Sequence, residues 1–417
     1  VRVIARRAWL LVWETFHIFF RHYNFPCQLG LRRVGSPDED SPVLLSGNYT
    51  LTVHRLLRVL RGFDCWLLVA NARGSNVWCA AGMNEFTEHD VIDAVNVAEL
   101  CRVVRHRRMV APPYAAPGVD VRKVKEETGF RIIWGPTHLD DLPRYLDNRA
   151  RRTYDMTLVQ FGLRDRMEQA LSTACAYCLT IAVGLFFWPR LVLGTMGLVF
   201  VVYLVGFALW NVFPEERRWR RTASIAGTLG GLLAAFTVWR GWPAGEVVTY
   251  EAILLAVVLL MAMDGCGSSP VHKSTVAHWL RTGDYHCDFD PVIDPDRCTN
   301  CMDCQVVCPT DVFARRRVGD NRMVVVRPGN CIECLACVKQ CDDEAIFNRS
   351  GRYKGDVKSV PNLDELLTRD TSHLADQDVW LGWPTMIRNG YSVCVEEGPA
   401  EAGTAAAVAA DGAKGAE

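Results

Sequence analysis

Two periodicities alternate along residues 42–150. PVLLSG (42–47) is a short unbroken apolar run of the kind a buried strand shows, and LTVHRLLRVL (51–60) spaces its leucines and valines as one helix face. CWLLVANA (65–72) is a second strand. Thr87, Glu88, His89 and Asp90 resemble a capping box that opens a helix through VIDAVNVAEL. RMVAP (108–112) and FRIIWGP (130–136) predict further strands. VDVRKVKEETG (119–129), which ends in glycine, and LDDLPRYLDN (139–148), with an early proline, predict helices. This alternation predicts a Rossmann-like α/β domain with a mainly parallel sheet, and ligands in such folds sit beyond the carboxyl ends of the strands. NVWCAAG (76–82) follows a strand end directly, so its cysteine stands where a ligand is expected.

The pattern changes after residue 169. ALSTACAYCLTIAVGLFFW (170–188), LVLGTMGLVFVVYLVGFALWNVF (191–213) and TASIAGTLGGLLAAFTVW (222–239) carry no charge. Each is close to the roughly 20 residues needed to cross a bilayer. VVTYEAILLAVVLLMAM (247–263) is shorter and contains Glu251. Gly227 and Gly231 form a small-xxx-small pair suited to close helix packing. Arg149, Arg151, Arg152, Arg164 and Arg166 precede the first run, and Arg217, Arg218, Arg220 and Arg221 crowd the second connection. The first and third connections hold only Arg190 and Arg240. Four spans with both ends in the cytoplasm fit this alternation; three spans would put the C-terminal part outside. AWLLVWETFHIFF (8–20) carries Glu14 and His17 and is too short to span, so it predicts an interfacial or packed helix rather than a signal peptide.

Composition adds two constraints. The formal net charge is −1, so no global field points to nucleic acid. The chain begins with Val1 rather than methionine, as a fragment would. Of the 17 cysteines, two tight groups stand out. CTNCMDCQVVCP holds Cys298, Cys301, Cys304 and Cys308, and CIECLACVKQC holds Cys331, Cys334, Cys337 and Cys341. This is the C-x2-C-x2-C-x3-C run twice, in which three thiolates wrap one iron–sulfur cube and the fourth serves the other. Cys298, Cys301, Cys304 and Cys341 are thus expected to hold one [4Fe–4S] cluster, and Cys331, Cys334, Cys337 and Cys308 the second. A zinc ribbon uses two CxxC pairs instead. Asp342 stands where the second run would usually have proline, without touching the ligands. Such thiols imply a reducing compartment.

The other cysteines (Cys27, Cys65, Cys101, Cys175, Cys178, Cys266, Cys287 and Cys394) read as packing residues. RHRR (105–108) is a solvated face or a site for a phosphate or lipid headgroup. Thr50 and Thr52 are helix-start residues or ligand contacts. Cys79 is either a small buried residue before a helix or a thiolate that ligates a soft metal, favoured by a nearby helix N-terminus. Ala80, Ala81 and Gly82 beside it would leave room for something large and flat.

SPVLLSGNYTLT, FDCWLLVANARGSNVWCAAG, APGVDVRKVKEETGFRIIWGP and DLPRYLDNRA, in this order, resemble the corrinoid protein of mercury methylation (HgcA-like), which is related to the corrinoid iron–sulfur protein large subunit of acetyl-CoA synthesis. The ferredoxin module resembles its partner two-[4Fe–4S] ferredoxin (HgcB-like), here fused. The resemblance covers about residues 25–348. It implies a cobalamin-type corrinoid with Cys79 as the lower cobalt ligand. Asn76, Val77, Trp78, Ala80, Ala81 and Gly82 would form the cap helix, with Asn48, Tyr49, Thr50 and Thr52 lining the corrin from the other side. It also implies a methylated folate or pterin, or its methyltransferase, as donor, an upstream low-potential reductant, and Hg(II) as acceptor. This chain departs from the family at Met83, where the family has lysine, and in lacking the ferredoxin's extra cysteine and terminal cysteine pair. These departures bear on mercury handling, not on the corrinoid or the clusters.

The expected organisation is an interfacial segment (1–36), an α/β corrinoid-binding domain (37–165), transmembrane helices (166–265) and a linker (266–289). An α+β ferredoxin domain (290–348), an unassigned stretch (349–395) and a disordered tail (396–417) follow. The expected function is a multi-pass cytoplasmic-membrane methyltransferase whose ferredoxin returns cobalt to Co(I), with both soluble domains facing the cytoplasm. A corrinoid methyl carrier with a non-mercury acceptor, and a membrane electron-transfer protein without corrinoid, are the competing readings.

Overall fold

The structure is a computed structural model. It describes residues 12–159, 162–209, 218–265, 289, 291–315, 322–328, 331, 334–348, 385–388 and 391–394. Two compact units are present, one of Phe25–Gln160 with His286–Glu417, the other of Val1–Asn24 with Phe161–Tyr285. The expected linker (apart from Phe289), Cys266, Cys287 and the alanine-rich tail lie outside the described residues.

The first helix, α1 (12–19), belongs to the helical unit. The α/β domain then runs β1 (Gly30–Val34), β2 (Val43–Gly47), α2 (Thr50–Val59), β3 (Cys65–Ala70), α3 (Val77–Gly82), α4 (Glu88–Val97), α5 (Leu100–Val103), β4 (Arg108–Ala111), α6 (Val121–Thr128), β5 (Arg131–Trp134) and α7 (Leu142–Asp147). The sheet order is β1-β3-β2-β4-β5, parallel throughout except for β1, which pairs antiparallel with β3. Both faces are covered, as a parallel sheet requires. Leu45, Leu68 and Met109 face the side filled by Val91, Ile92 and Val124, while Leu44, Leu67 and Val110 face Val53, Leu56 and Tyr145. The Thr87–Asp90 capping box forms, and Gly129 ends α6 in the left-handed region. The interfacial segment, expected to reach residue 36, stops short: Gly30–Val34 are the edge strand of this sheet. Its polar GLRRV hid it, because an edge strand is half exposed.

The helical unit contains α8 (Leu163–Ile181), α9 (Pro189–Ala208), α10 (Arg218–Trp239) and α11 (Ala244–Gly265). Among the described residues, three stretches are long and apolar enough to cross a membrane: Leu163–Phe186, Pro189–Ala208 and Ala244–Ala262. Ala223–Trp239 is a shorter apolar helix. Thus the run around Glu251 is one of the long ones, and the third run lies within α10, itself 22 residues long. The expected packing at Gly227 and Gly231 is not seen: a Cβ at either would meet nothing within 4 Å. The close contacts lie at Gly194 against Tyr250, Gly206 against Met261, and Gly230 against Glu251. Two arginines counted toward topology are also engaged. Arg166 is buried and donates to the carbonyls of Phe207 and Ala208 at the end of α9, and Arg164 pairs with Glu14 and Glu168. Glu14 and His17 of α1 are both buried, so this helix is packed.

The ferredoxin module contains β6 (Pro291–Ile293), α12 (Asp303–Val307), β7 (Phe313–Arg315), β8 (Met323–Val325), α13 (Ala336–Lys339) and β9 (Ile346–Asn348), with β6 paired to β9 and β7 to β8, both antiparallel. The cysteine repeat is also a backbone repeat. Met302 and Leu335 are left-handed just before α12 and α13, and Asp311 and Glu344 are left-handed after the fourth cysteine of each run. The Val312 N–H donates to Cys308 Sγ at 3.4 Å and the Ala345 N–H to Cys341 Sγ at 3.3 Å. A last hairpin pairs β10 (Thr385–Arg388) with β11 (Tyr391–Cys394) in the stretch left unassigned from sequence.

Candidate functional site

Cys79 lies in α3, a helix of 6 residues that begins beyond the carboxyl end of β3. Asn76 caps it: its side-chain oxygen accepts from the Cys79 N–H at 2.9 Å, which sets where the helix starts. Helical spacing then divides the side chains. Val77, Ala80 and Ala81 turn inward and are buried, while Cys79 and Gly82, one turn apart, share the outer face beside half-buried Trp78. A Cβ at Gly82 would meet nothing within 4 Å. Cys79 is half-buried and forms no disulfide, so the reading of a small core residue does not describe it. The small size of Ala80 and Ala81 has a different cause from the expected one. They do not clear space on the open face; they let the helix sit close to its neighbours.

Those neighbours come from several segments. A Cβ on Gly118 would lie 2.8 Å from Ala81 Cα and closer still to the Phe86 carbonyl oxygen. A Cβ on Gly47, at the end of β2, would lie 2.6 Å from Ala72 Cβ and 3.1 Å from Val77. The 3-10 turn Pro113–Ala115 brings Tyr114 against Trp78, edge to face with centroids 4.4 Å apart. Asn48 is buried and accepts from the N–H groups of Ala72 (2.8 Å) and Gly74 (3.0 Å), so it holds the loop that leads into α3. Tyr49 is buried as well. Thr50 Oγ1 donates to the Phe25 carbonyl at 2.6 Å, and Thr52 is half-buried on α2. Asn48, Tyr49 and Thr50 therefore build the platform before Cys79 rather than present free polar groups.

RHRR is an exposed face whose first three residues also make contacts within the domain. Arg105 pairs with Glu39, His106 bonds the Ser41 carbonyl, and Arg107 bonds the Val104 carbonyl and lies over Phe130. Cys27 and Cys65 pack in the core beneath β2 and β3, and Cys178 is buried in the helical unit. Only backbone is described for Cys394.

In the ferredoxin module, Cys298, Cys301, Cys304 and Cys341 line one cavity, with Met302, Met323 and Ile346 around it. This is the set expected for one cluster. Cys308, Cys331 and Cys337 share the module's core, and Cys334 faces Cys308 closely enough for their charges to interact. Burial, reinforced by neighbouring cysteines, pushes Cys304 and Cys337 well above an ordinary thiol. Burial likewise pushes Cys301 up to about 11 and Cys334 up to about 12. Thiols so placed ionise only against a strong cation. Among the described residues, no three His, Cys, Asp or Glu side chains converge on a single-ion site. A cube gives each thiolate its own iron, whereas in a zinc ribbon four thiolates share one ion.

Both modules have known counterparts. Residues 26–146 match the family model of the CO dehydrogenase/acetyl-CoA synthase delta subunit. Residues 290–342 match that of a 4Fe-4S dicluster domain. Over 123 residues the chain is 35% identical to the acetyl-CoA decarbonylase/synthase complex subunit gamma of Methanopyrus kandleri, covering 29% of this chain and 26% of the relative. The same subunit of Methanothermobacter thermautotrophicus is 30% identical over 123 residues, 29% of this chain and 26% of the relative. That of Archaeoglobus fulgidus is 29% identical over 133 residues, 30% and 28% respectively. The chain therefore spans about a quarter of the length of these relatives.

Sequence reasoning missed Tyr114 and Gly118 as supports of α3. The signal was present in PPYAAPGVD, a Pro/Gly-rich loop between strand and helix, but nothing local says which element it touches.

Proposed function

We propose that this chain is a corrinoid-dependent methyltransferase with its own iron–sulfur electron supply, anchored in a membrane by its helical unit. The observation that carries the reading is the placement of Cys79: a thiol on the open face of a capped helix, with a glycine one turn on. It lies at the carboxyl edge of a domain similar to acetyl-CoA decarbonylase/synthase subunits, in the same compact unit as a dicluster domain. A cobalamin-type corrinoid supplies a cobalt centre that takes up and hands on a methyl group, and two [4Fe–4S] clusters supply single electrons at low potential.

Cys79 is the residue that holds the metal. Asn76 fixes its backbone, and Trp78 and Gly82 border it on the same face. Asn48, Tyr49, Thr50 and Thr52 support this site. Cys298, Cys301, Cys304 and Cys341 hold one cluster, and Cys331, Cys334, Cys337 and Cys308 the other. A thiolate ligand donates electron density, which favours a soft electrophile as methyl acceptor. Hg(II) is such a substrate and the one that the family resemblance implies. The donor is a methylated folate or pterin, or its methyltransferase, and a low-potential reductant feeds the clusters. Both soluble modules face the cytoplasm, where thiols stay reduced.

A second acceptor reading rests on one observation: no cysteine lies between Cys341 and Cys394 to pass on a soft metal. A carrier of one-carbon metabolism with a non-mercury acceptor fits that. The protein purified without oxygen should show corrinoid bands as well as iron–sulfur absorbance. Iron–sulfur absorbance with no corrinoid bands, even after supply of cobalamin, would leave only a membrane electron-transfer protein. With corrinoid present, methylmercury formation from Hg(II) by the methylated protein separates the two acceptor readings.

A further inference from the structure

One loop, residues 112–120, is packed from both sides. On one side Tyr114 meets Trp78 and Gly118 meets Ala81, so the loop supports α3. On the other side it meets the ferredoxin module. Ala116 is buried in an apolar patch with Val307 and Ala336, and Trp134 and Cys334 pack against it. Gln340, itself buried, donates from Nε2 to the carbonyls of Ala116 at 2.7 Å and Val119 at 2.8 Å. Those carbonyls end a loop and have no ladder to join, so Gln340 satisfies groups that would be costly to bury bare.

A polar rim surrounds this patch. Lys339 and Glu88, both buried, pair at 3.4 Å, and Arg122 pairs with Asp342. Arg152 donates to the Val306 carbonyl at 2.7 Å, and Tyr154 donates to Asp311 at 2.6 Å. An apolar centre with a paired polar rim is the anatomy of a specific interface. The two cysteine runs are not equivalent in it. Cys334 of the second run is half-buried against the patch, whereas Cys301 of the first run is exposed.

We propose that the ferredoxin module is docked with its second run turned to the α/β domain, and that Gln340 is a positioning residue that couples this run, through loop 112–120, to the cysteine helix. The inference rests on the iron–sulfur part of the reading above and not on its corrinoid part.

The test uses the full chain with clusters reconstituted and no corrinoid added. Ala116→Asp sets a carboxylate in the apolar patch that Cys334 borders. In an electron paramagnetic resonance titration it should lower the potential of one cluster and move the other much less. Cys334→Ser and Cys301→Ser variants assign the two signals. An equal shift in both clusters, or a shift in the first-run cluster alone, overturns the proposal. Should Ala116→Asp fail to hold its clusters, Gln340→Ala decides. Two lost hydrogen bonds should speed amide exchange in 112–120 about tenfold, with a smaller rise in 77–82, while both cluster signals persist. Faster exchange confined to 331–348 overturns the coupling. A wild-type chain that takes up no cluster defeats the iron–sulfur reading itself, and the exchange result then still tests the seam.

Discussion

The ferredoxin cysteines and Cys79 are held in opposite ways. Each cluster run carries its own geometry: a left-handed residue, a short helix and an N–H to sulfur bond, all within its own loop and repeated in the other run. Near Cys79 in sequence, Asn76 caps its helix. The rest of its support comes from Gly47, Asn48 and the 112–120 loop, each from a different part of the α/β domain. A local site should fail locally when damaged, whereas an assembled site should fail from a distance.

The largest expected effect tests that contrast from the local side. Cys304→Ser should remove one cluster signal and leave the other, with iron content falling toward half, while Cys79→Ala should keep both. Iron analysis with electron paramagnetic resonance reads this out, and loss of both clusters in Cys79→Ala would break the comparison. Next in size is Gly118→Ala, which forces a methyl group into Ala81 and the Phe86 carbonyl. It should cost about 1–3 kcal/mol and weaken corrinoid retention with iron content unchanged.

Asn48→Ala strips two buried N–H groups of their acceptor and should cost a similar or smaller amount, about 1–3 kcal/mol, read from denaturant unfolding. It lies far in sequence from Cys79, so unchanged corrinoid retention would argue that the platform is not part of the site. The smallest effect is one of pH. Burial pushes the Glu88 carboxyl up, but its own backbone N–H, Lys339, the Asp120 N–H and Lys123 together outweigh this and hold it below its ordinary value near 4.5. A depressed folded pKa gives stability that is complete above the unfolded value and is lost as pH falls through the folded one. Unfolding should therefore show acid sensitivity below about pH 4.5 that Glu88→Gln reduces; an unchanged pH profile would show that the pair contributes nothing to docking.

This contrast also decides what could be read from the chain alone. The cluster runs were legible because spacing is the site, and the β2–β5 core and its helices were legible because each has its own period. The support around Cys79 was not, since contacts such as Gly118 with Ala81 join residues whose closeness no local pattern records. Ala80 and Ala81 are buried, and Gly118 sits close against Ala81, a contact that their small size alone does not announce. The edge strand Gly30–Val34 escaped because one arginine-rich, half-exposed strand looks like loop. Gly227 and Gly231 show the converse: a good local motif with nothing within 4 Å of a Cβ there among the described residues.

The central claim is that Cys79 holds the cobalt of a bound corrinoid. The direct measurement is the visible absorption spectrum of the purified, corrinoid-loaded protein beside that of Cys79→Ala. The account predicts that the cobalt bands shift in the variant while iron–sulfur absorbance stays. Superimposable cobalt bands in the two proteins would contradict it.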